Sequence, residues 1–412
     1  MKKLILLFLI MFINESFPQE IYWEPIGNVG GTVFTFGLDS SNNIFAGTYN
    51  AIYKSTDDGK TWIKKLSGGQ YTNFLAFAVN RDGHIITTTH SSNMFRSTDK
   101  GETWKSFAPM PYQDYRPLVY LPNGDLITAP HNRGLYRSKD DGNKWEKVEG
   151  GLDANIIWSV AIAPDGKVFA GTNNFLFLSL DTGYTWKQIM YDSTCSGART
   201  VFISSDGSIY IGSEITVFES KVYLCGAFRS TDGGTTWHKA FYGLDTSLYR
   251  AIISIIEPLT GVFYIGTNEW GVYRSIDNGQ NCQRVSNGLE EIGFLWYLFL
   301  TKSGNILAGT NKGMFRTNTI VTNYEEEFNN NKSENLIQIN NGKVKLNLIH
   351  STEISVLIYD LLGRNIKKLN LGYLSSGEHV FENLISDLHN GLYIIEIKTN
   401  NFSKVIKTII YN

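Results

Sequence analysis

The chain has 412 residues, with 37 Lys and Arg against 39 Asp and Glu, a formal net charge of −2 and three cysteines. That length is too great for one ordinary core and suits a large repeat domain followed by a small one. The balanced charge, with no basic run the size of a binding face, excludes a nucleic-acid binder. Cys195, Cys225 and Cys282 are too few for a disulfide-stapled scaffold and lack the C-x-x-C spacing of a zinc site.

Lys2 and Lys3 precede an apolar run from Leu4 to Ile13, followed by polar Asn14, Glu15 and Ser16. This is the charge-apolar-polar order of a secretory signal peptide, and the run is too short to span a bilayer. Residues 1–19 are therefore expected to be a signal peptide, cut between Ser16 and Gln19; the alternative is an uncleaved N-terminal anchor. No later stretch suits a membrane helix, so no transmembrane segment is expected in the mature chain.

Residues 20–318 are built on a repeat. Ser55, Asp57, Gly59 and Trp62 spell S-x-D-x-G-x-x-W, and the pattern returns with Asp99 and Trp104, Asp140 and Trp145, Asp181 and Trp186, and Asp232 and Trp237. A sixth copy has Asp277 but ends in Cys282 where Trp is expected. The box serines recur every 41 to 51 residues or about that, a period in the range of four-stranded propeller blades. The short Ser and Asp side chains accept hydrogen bonds from amides of their own turn, and Gly supplies a positive φ. Each Trp opens the next strand and is expected to pack between repeats, burying about 150 to 250 Å², an upper bound of several kcal/mol.

Before each box lie further strand signals: an alternating segment ending in a turn such as Asp82-Gly83 or Asn123-Gly124, a short strand closing in Ala-Gly-Thr, and a third strand leading into the box. Each repeat thus reads as a four-stranded antiparallel meander. The seventh has three strands, from Trp296 through Thr317, and lacks a box and a fourth strand. Ile21 to Ile26, with Trp23 placed as in the fourth strands, is expected to pair with its third strand and close the ring. The repeat resembles the Asp-box, or bacterial neuraminidase repeat, families, which include sialidases, large xyloglucan hydrolases, sortilin-type receptors and photosystem II assembly factors.

Residues 319–335 become polar, with Glu325 to Glu327 and Asn329 to Asn331, and read as a linker. Residues 336–412 then carry seven short strand signals separated by turns, the pattern of a small Ig-like antiparallel sandwich. The expected fold class is all-β: a seven-bladed β-propeller followed by that sandwich. Val356 to Gly363, Asn390 to Ile397 and the basic-apolar ending Lys404 to Tyr411 together resemble the type A sorting domain of the type IX secretion system. The resemblance implies engagement of the type IX machinery through 336–412, export across the outer membrane of a Bacteroidetes-type bacterium, removal of this domain, and release or attachment at the surface. The alternative is an adhesive or carbohydrate-binding sandwich.

The strand order puts the boxes on one face and the blade-connecting loops on the other, so a ligand site belongs on that second, rim face. Alignment of the repeats places Phe34, Leu75, Arg116, Trp158, Arg199 and Trp296 at equivalent positions near the start of the innermost strand, with Arg250 in a similar place in the sixth repeat. The ends of the second strands offer Tyr49, His90, His131, Asn173, Glu214, Asn268 and Asn311, with Glu269 and Trp270 adjacent. Ligand-binding candidates are Arg116, Trp158, Arg199, Arg250, Trp270, Trp296, His90 and His131. Connecting-loop acids include Asp114, Asp153, Asp192, Asp245, Glu290 and Glu291. A glycosidase needs two carboxyl groups across the scissile bond, or a Tyr nucleophile in sialidases; Asp114, Asp153, Asp192, Glu214 and Glu269 are the catalytic candidates, unpaired by spacing. Arginines from separate blades suit a carboxylate, as in a sialidase. The sialidase Arg-Ile-Pro signature is absent, and Tyr115-Arg116-Pro117-Leu118 echoes it only in part.

Glu214 to Cys225 interrupts the period in the fifth repeat on the rim face, and a Cys195 to Cys225 disulfide is expected to pin it, leaving Cys282 unpaired. No metal or cofactor is expected. The function that emerges is recognition of a glycan or a surface protein by a secreted or cell-surface propeller; the alternative is a sialidase-like or xyloglucanase-like glycoside hydrolase using rim carboxylates.

Overall fold

The computed structural model describes residues 21–27, 29–69, 72–91, 93–107, 112–154, 156–173, 175–190, 196–214, 216–218, 221–223, 226–244, 251–269, 271–322, 336–340, 343–348, 351–359, 365–381, 391–398 and 403–410. Two compact units divide between Tyr324 and Glu325.

The first unit holds seven four-stranded antiparallel sheets, a seven-bladed propeller. Six blades run through their four strands in sequence order, as in Val33–Leu38, Ile44–Thr48, Ala51–Ser55 and Ile63–Ser67. In the seventh, Leu295–Leu300, Ile306–Thr310 and Gly313–Thr317 are completed by Trp23–Ile26, with Trp23 opposite Thr317 and Pro25 opposite Phe315. The N-terminal strand therefore closes the ring. Val321 is buried in the same core and donates its N–H to the Gly304 carbonyl at 2.7 Å, so the propeller reaches beyond residue 318 into the segment expected to be linker.

Second strands such as Ile44–Thr48, Val168–Thr172 and Ile306–Thr310 are buried at every position, because both faces of a blade meet neighbours. This explains the recurring Gly of the Ala-Gly-Thr endings. A Cβ on Gly47 would lie 2.8 Å from the Phe74 carbonyl oxygen of the next blade, and one on Gly309 would lie 2.8 Å from that of Val33. Apolar clusters fill each junction between blades. Phe45 and Ile52 meet Phe74, Ile85 and Trp104; Phe169 and Leu176 meet Ile209, Ile211 and Trp237; Leu307 and Met314 of the last blade meet Ile44, Ala46 and Trp62 of the first. Trp186 and Trp23 are buried, whereas Trp62, Trp104, Trp145 and Trp237 are half-buried, so the area figure for a fully covered indole is an upper bound for most blades.

The boxes are self-contained hydrogen-bonded turns. Ser55 donates its hydroxyl to Asp57 Oδ1 at 2.8 Å and accepts the Gly59 N–H at 2.8 Å. Asp57 accepts the Thr61 N–H at 2.8 Å and the Thr61 hydroxyl at 2.6 Å, while the Trp62 indole donates to the Gly59 carbonyl at 3.1 Å. The Thr before the Trp recurs in this role as Thr103, Thr185 and Thr236. Burial alone would raise the pKa of Asp99 and of Asp181, but these hydrogen bonds outweigh it and lower both to about 2.

A second repeated device joins the blades. The residue before the box Ser sends a cation to the neighbouring box: Lys54 to the Lys100 carbonyl at 2.8 Å, Arg137 to that of Thr182 at 2.6 Å, Arg229 to that of Asn278 at 3.3 Å, and Arg96 to that of Asp141. Arg316 of the last blade reaches the Asp58 carbonyl of the first at 3.2 Å. Each accepting residue has a left-handed backbone, with φ between 56 and 63°, which turns its carbonyl toward the neighbouring blade. Cations strengthen these bonds over neutral donors. The fourth blade has Leu178 at this place.

The interruption in the fifth repeat is a two-stranded hairpin, Thr216–Phe218 with Lys221–Tyr223, between the second and third strands of its blade. Cys195 and Cys225 lie outside the described residues. Cys282 is a free thiol that replaces the box Trp in the cluster between the fifth and sixth blades, and burial pushes its pKa up to about 12.

The second unit has a three-stranded antiparallel sheet, with Lys343–Leu348 between Leu336–Asn340 and Gly377–Phe381. A four-stranded sheet follows the order Asn365–Leu374, Thr352–Tyr359, Gly391–Lys398 and Ser403–Ile410. Ile354, Val356, Ile358, Ile395 and Ile397 are fully buried at alternate positions, the pattern of a sheet covered on one face.

Candidate functional site

Each innermost strand carries a β-bulge near its start. Pairing with the second strand skips Phe34, Leu75, Trp158, Ile253 and Trp296. It shifts between Tyr115 and Leu118, beside Arg116, and between Ser196 and Thr200, beside Arg199. A bulge inserts an unpaired residue and re-aims its side chain. The aligned positions of six repeats are thus one structural position. In the sixth blade that position belongs to Ile253; Arg250, expected in a similar place, lies outside the described residues, and Arg116 and Arg199 are the arginines beside the described bulges.

The ends of the second strands also share one geometry. The N–H of Tyr49, His90, His131, Asn173, Asn268 and Asn311 each donates to a carbonyl of the segment entering the innermost strand, at 2.9 to 3.3 Å. Bulge residues and strand-end residues therefore alternate around one rim, opposite the boxes.

Two groups of side chains assemble there. In one, contributed by the second to fifth blades, the Arg199 guanidinium lies over the Trp158 ring at 4.3 Å, and the His131 ring centroid is 6.3 Å from that of Trp158. Asp114, on the segment entering the third blade, contacts His90 Nδ1 at 2.6 Å and has a left-handed backbone with φ 54°. Arg116 is half-buried, and its guanidinium makes no hydrogen bond to the described residues. Burial lowers its pKa, the carboxylate of Asp114 opposes that shift, and the like charge of Arg199 adds to it. In the other group, Trp296 meets Phe34 edge-on at 5.1 Å and Phe294 at 6.1 Å, and its indole donates to Asn311 Oδ1 at 2.6 Å.

Four further described acids do not join these groups. Asp153, Glu269, Glu290 and Glu291 are exposed, and Glu290 folds back to accept the Gly288 N–H at 2.9 Å. Glu214 ends the second strand of its blade, opposite Ser196. Asp192, Asp245 and Trp270 lie outside the described residues. Phe294, Ile253 and the hydrogen bond from Trp296 to Asn311 were missed in the sequence; a register of the bulges would have found Ile253. Among the described residues no group of three or more His, Cys, Asp or Glu side chains is placed to hold a metal ion, and no helix is long and apolar enough to cross a membrane.

Residues 326–412 match the family of the secretion system C-terminal sorting domain, beginning inside the expected linker. No curated protein sequence matches the chain. Among solved structures, YCF48 bound to D1 peptide is similar, with a TM-score of 0.57 and 14% identity over 73% of this chain and 95% of that one. The extracellular domain of the one component system BT4673 from B. thetaiotaomicron gives a TM-score of 0.58 at 16% identity, over 94% of this chain and 52% of that one, so this chain spans about half its length. PorZ, a surface component of the type-IX secretion system of Porphyromonas gingivalis, gives 0.52 at 15% identity, over 93% of this chain and 60% of that one. At these identities the likeness is one of fold. The sorting tail marks the protein for export by the type IX secretion system to the cell surface or outer membrane. The chain is thus a seven-bladed β-propeller that carries a C-terminal secretion system sorting domain.

Proposed function

We propose that the propeller is a secreted or cell-surface recognition module that binds a glycan, or failing that a surface protein, through its rim face. In this reading residues 1–19 are removed on export, and the tail delivers the propeller to its destination. The observation that carries it is the meeting of Arg116, Asp114, His90, His131, Trp158 and Arg199 from four blades at one rim. Aromatic faces and polar groups fixed on rigid strands suit sugar rings and their hydroxyls, and a built surface of this kind is what a binding face requires.

Glycoside hydrolysis is the second reading, favoured by the Asp114 carboxylate with its His90 partner at 2.6 Å. It needs a second carboxyl across the scissile bond. A glycan array and a panel of fluorogenic glycosides, run on the mature chain, test both. Binding without turnover supports the recognition module. Turnover abolished by Asp114→Ala, with an unchanged melting curve, supports the hydrolase, and neither binding nor turnover on any glycan refutes the glycan reading of the rim.

A further inference from the structure

The segment from Leu295 to Thr317 continues from the sixth blade, but contacts alone join it to the first. On the far side of the seventh blade, Trp23 of the closing strand is buried among Val262, Tyr264, Leu295 and Leu298 and donates its N–H to the Asn287 carbonyl at 2.8 Å. That grip joins the sixth and seventh blades. Between the seventh and the first stands Asp58, next to the box residue Asp57. Its carboxylate accepts the Lys302 N–H at 3.0 Å, the Ser303 N–H at 3.2 Å and the Ser303 hydroxyl, all from the turn between the first two strands of the seventh blade. Arg316 Nη2 lies 3.8 Å from the same carboxylate, and its Nη1 donates to the Asp58 carbonyl at 3.2 Å. Arg316 also donates to Asn305 Oδ1 at 2.7 Å, and Asn305 donates to the Thr317 carbonyl at 2.9 Å, so the seventh blade fixes its own half of the contact. The Asp58 and Arg316 side chains are 22% and 13% exposed, which limits screening by salt.

The box itself does not need this side chain. In the fifth blade Gly233 takes the place, and the turn keeps its bonds: Ser230 accepts the Gly234 N–H at 2.8 Å and Asp232 the Thr236 N–H at 2.9 Å. In the third blade Asp141 takes side-chain donors, Asn80 at 3.3 Å and the Tyr120 hydroxyl. Asp58 therefore serves the junction, where charge-assisted bonds to two amides of a neighbouring turn are strong and directional. We propose that the wheel is shut by two closures that open independently: the strap Trp23–Ile26, and a clasp centred on Asp58 that holds the seventh blade on the first whether or not the strap is seated. A wheel whose strap has lifted then stays closed and presents Gly313–Thr317 as a free strand edge, poised for the strap to return. The same junction carries Trp296 against Phe34 at its rim end, so the clasp also keeps that part of the rim assembled while the strap is away.

The test is hydrogen–deuterium exchange, read by mass spectrometry, on the mature chain and on its Trp23→Ala, Asp58→Gly and doubly substituted forms, with a melting curve for each. Gly suits the φ of 63° at Asp58 and reproduces the box of the fifth blade, so this substitution removes the clasp and keeps the turn. Asp58→Gly is expected to speed exchange in the peptide holding Lys302 and Ser303 about 10- to 100-fold, the loss of hydrogen bonds to a charged group, and to leave Trp23 to Ile26 unchanged. Trp23→Ala is expected to speed exchange about tenfold or more in the strap and in its partners Met314 to Thr317, and to leave the turn at Lys302 and Ser303 protected. The double form is expected to lose protection in Val33–Leu38 and Leu295–Leu300 together, as neither single form does. Unchanged exchange at Lys302 and Ser303 in Asp58→Gly overturns the clasp. Exposure of that turn in Trp23→Ala, or of the strap in Asp58→Gly, reveals a single closure and overturns the independence of the two, as does failure of either single form to fold. A double form as well protected as the single ones overturns the proposal too, because another contact then holds the junction.

Discussion

Trp23 offers the sharpest quantitative test of ring closure. Its side chain is fully buried, it packs among Val262, Tyr264, Leu295, Leu298 and Ile306 of the last two blades, and its indole donates to the Val285 carbonyl at 2.7 Å. Trp23→Ala removes a large buried side chain, a change that costs about 3 to 5 kcal/mol. It also strands the Val285 carbonyl, at about 1 to 3 kcal/mol unless water reaches it. The sum, about 4 to 8 kcal/mol, is more than half of the about 5 to 15 kcal/mol that typical domains possess. Trp62 occupies the same place in the first blade but is half-buried, and its indole bonds only within its own turn, to Gly59. Trp62→Ala is therefore expected to cost clearly less. Urea denaturation of the mature chain, followed by circular dichroism, gives the comparison. Equal losses for the two variants, or a loss below about 1 kcal/mol for Trp23→Ala, would refute the view that this strand is a structural member of the seventh blade.

Other perturbations test the remaining devices. Arg137 is 4% exposed, pairs with Asp125 at 2.6 Å and holds the Thr182 carbonyl, so Arg137→Ala leaves a buried carboxylate unpaired; a stability loss of about 3 to 5 kcal/mol is expected in the same denaturation assay. Thr182 has φ 56°, which a β-branched residue adopts at a cost of about 1 to 2 kcal/mol, so Thr182→Asn is expected to raise the melting temperature, and a lowered one contradicts the assignment of strain. The box carboxylates of Asp99 and Asp181 have folded pKa values depressed to about 2. Their contribution is fully present above the unfolded value near 3.8 and is lost as pH falls toward 2; melting temperatures from pH 5 to pH 2 should drop in that window, and less so in Asp99→Asn. Deletion of residues 326–412 is expected to abolish surface delivery, scored by protease accessibility on whole cells; unchanged delivery would dismiss the sorting role.

The blades were legible in the sequence because their chemistry is local. Ser, Asp and Gly satisfy one another within a single turn, and the alternating strands beside them need no distant partner to be recognised. Even the closing strand was readable, since Trp23 stands where a fourth strand must begin. The inter-blade cations were visible as Lys54, Arg96, Arg137 and Arg229 before their boxes, but their meaning depends on a carbonyl about 45 to 49 residues away, turned outward by a left-handed backbone. The rim was harder still. Its position followed from the strand order, whereas its register depended on bulges, and a bulge moves the repeat by one residue without changing composition. Phe34, Leu75, Arg116, Trp158, Arg199 and Trp296 could be aligned because the turn after each innermost strand is the same in their repeats. The sixth repeat, where Ile253 is the bulge residue, lacks that regular turn, and Arg250, expected in a similar place, lies outside the described residues.

The recognition face itself is tested most directly by hydrogen–deuterium exchange of the mature chain with and without a saturating glycan that binds it. The account predicts slower exchange in the peptides containing Asp114 to Leu118, Trp158 to Val160 and Ala198 to Val201, with the box turns at Asp57, Asp99 and Asp181 unaffected. Protection confined to the box turns, or to the C-terminal unit, would contradict it.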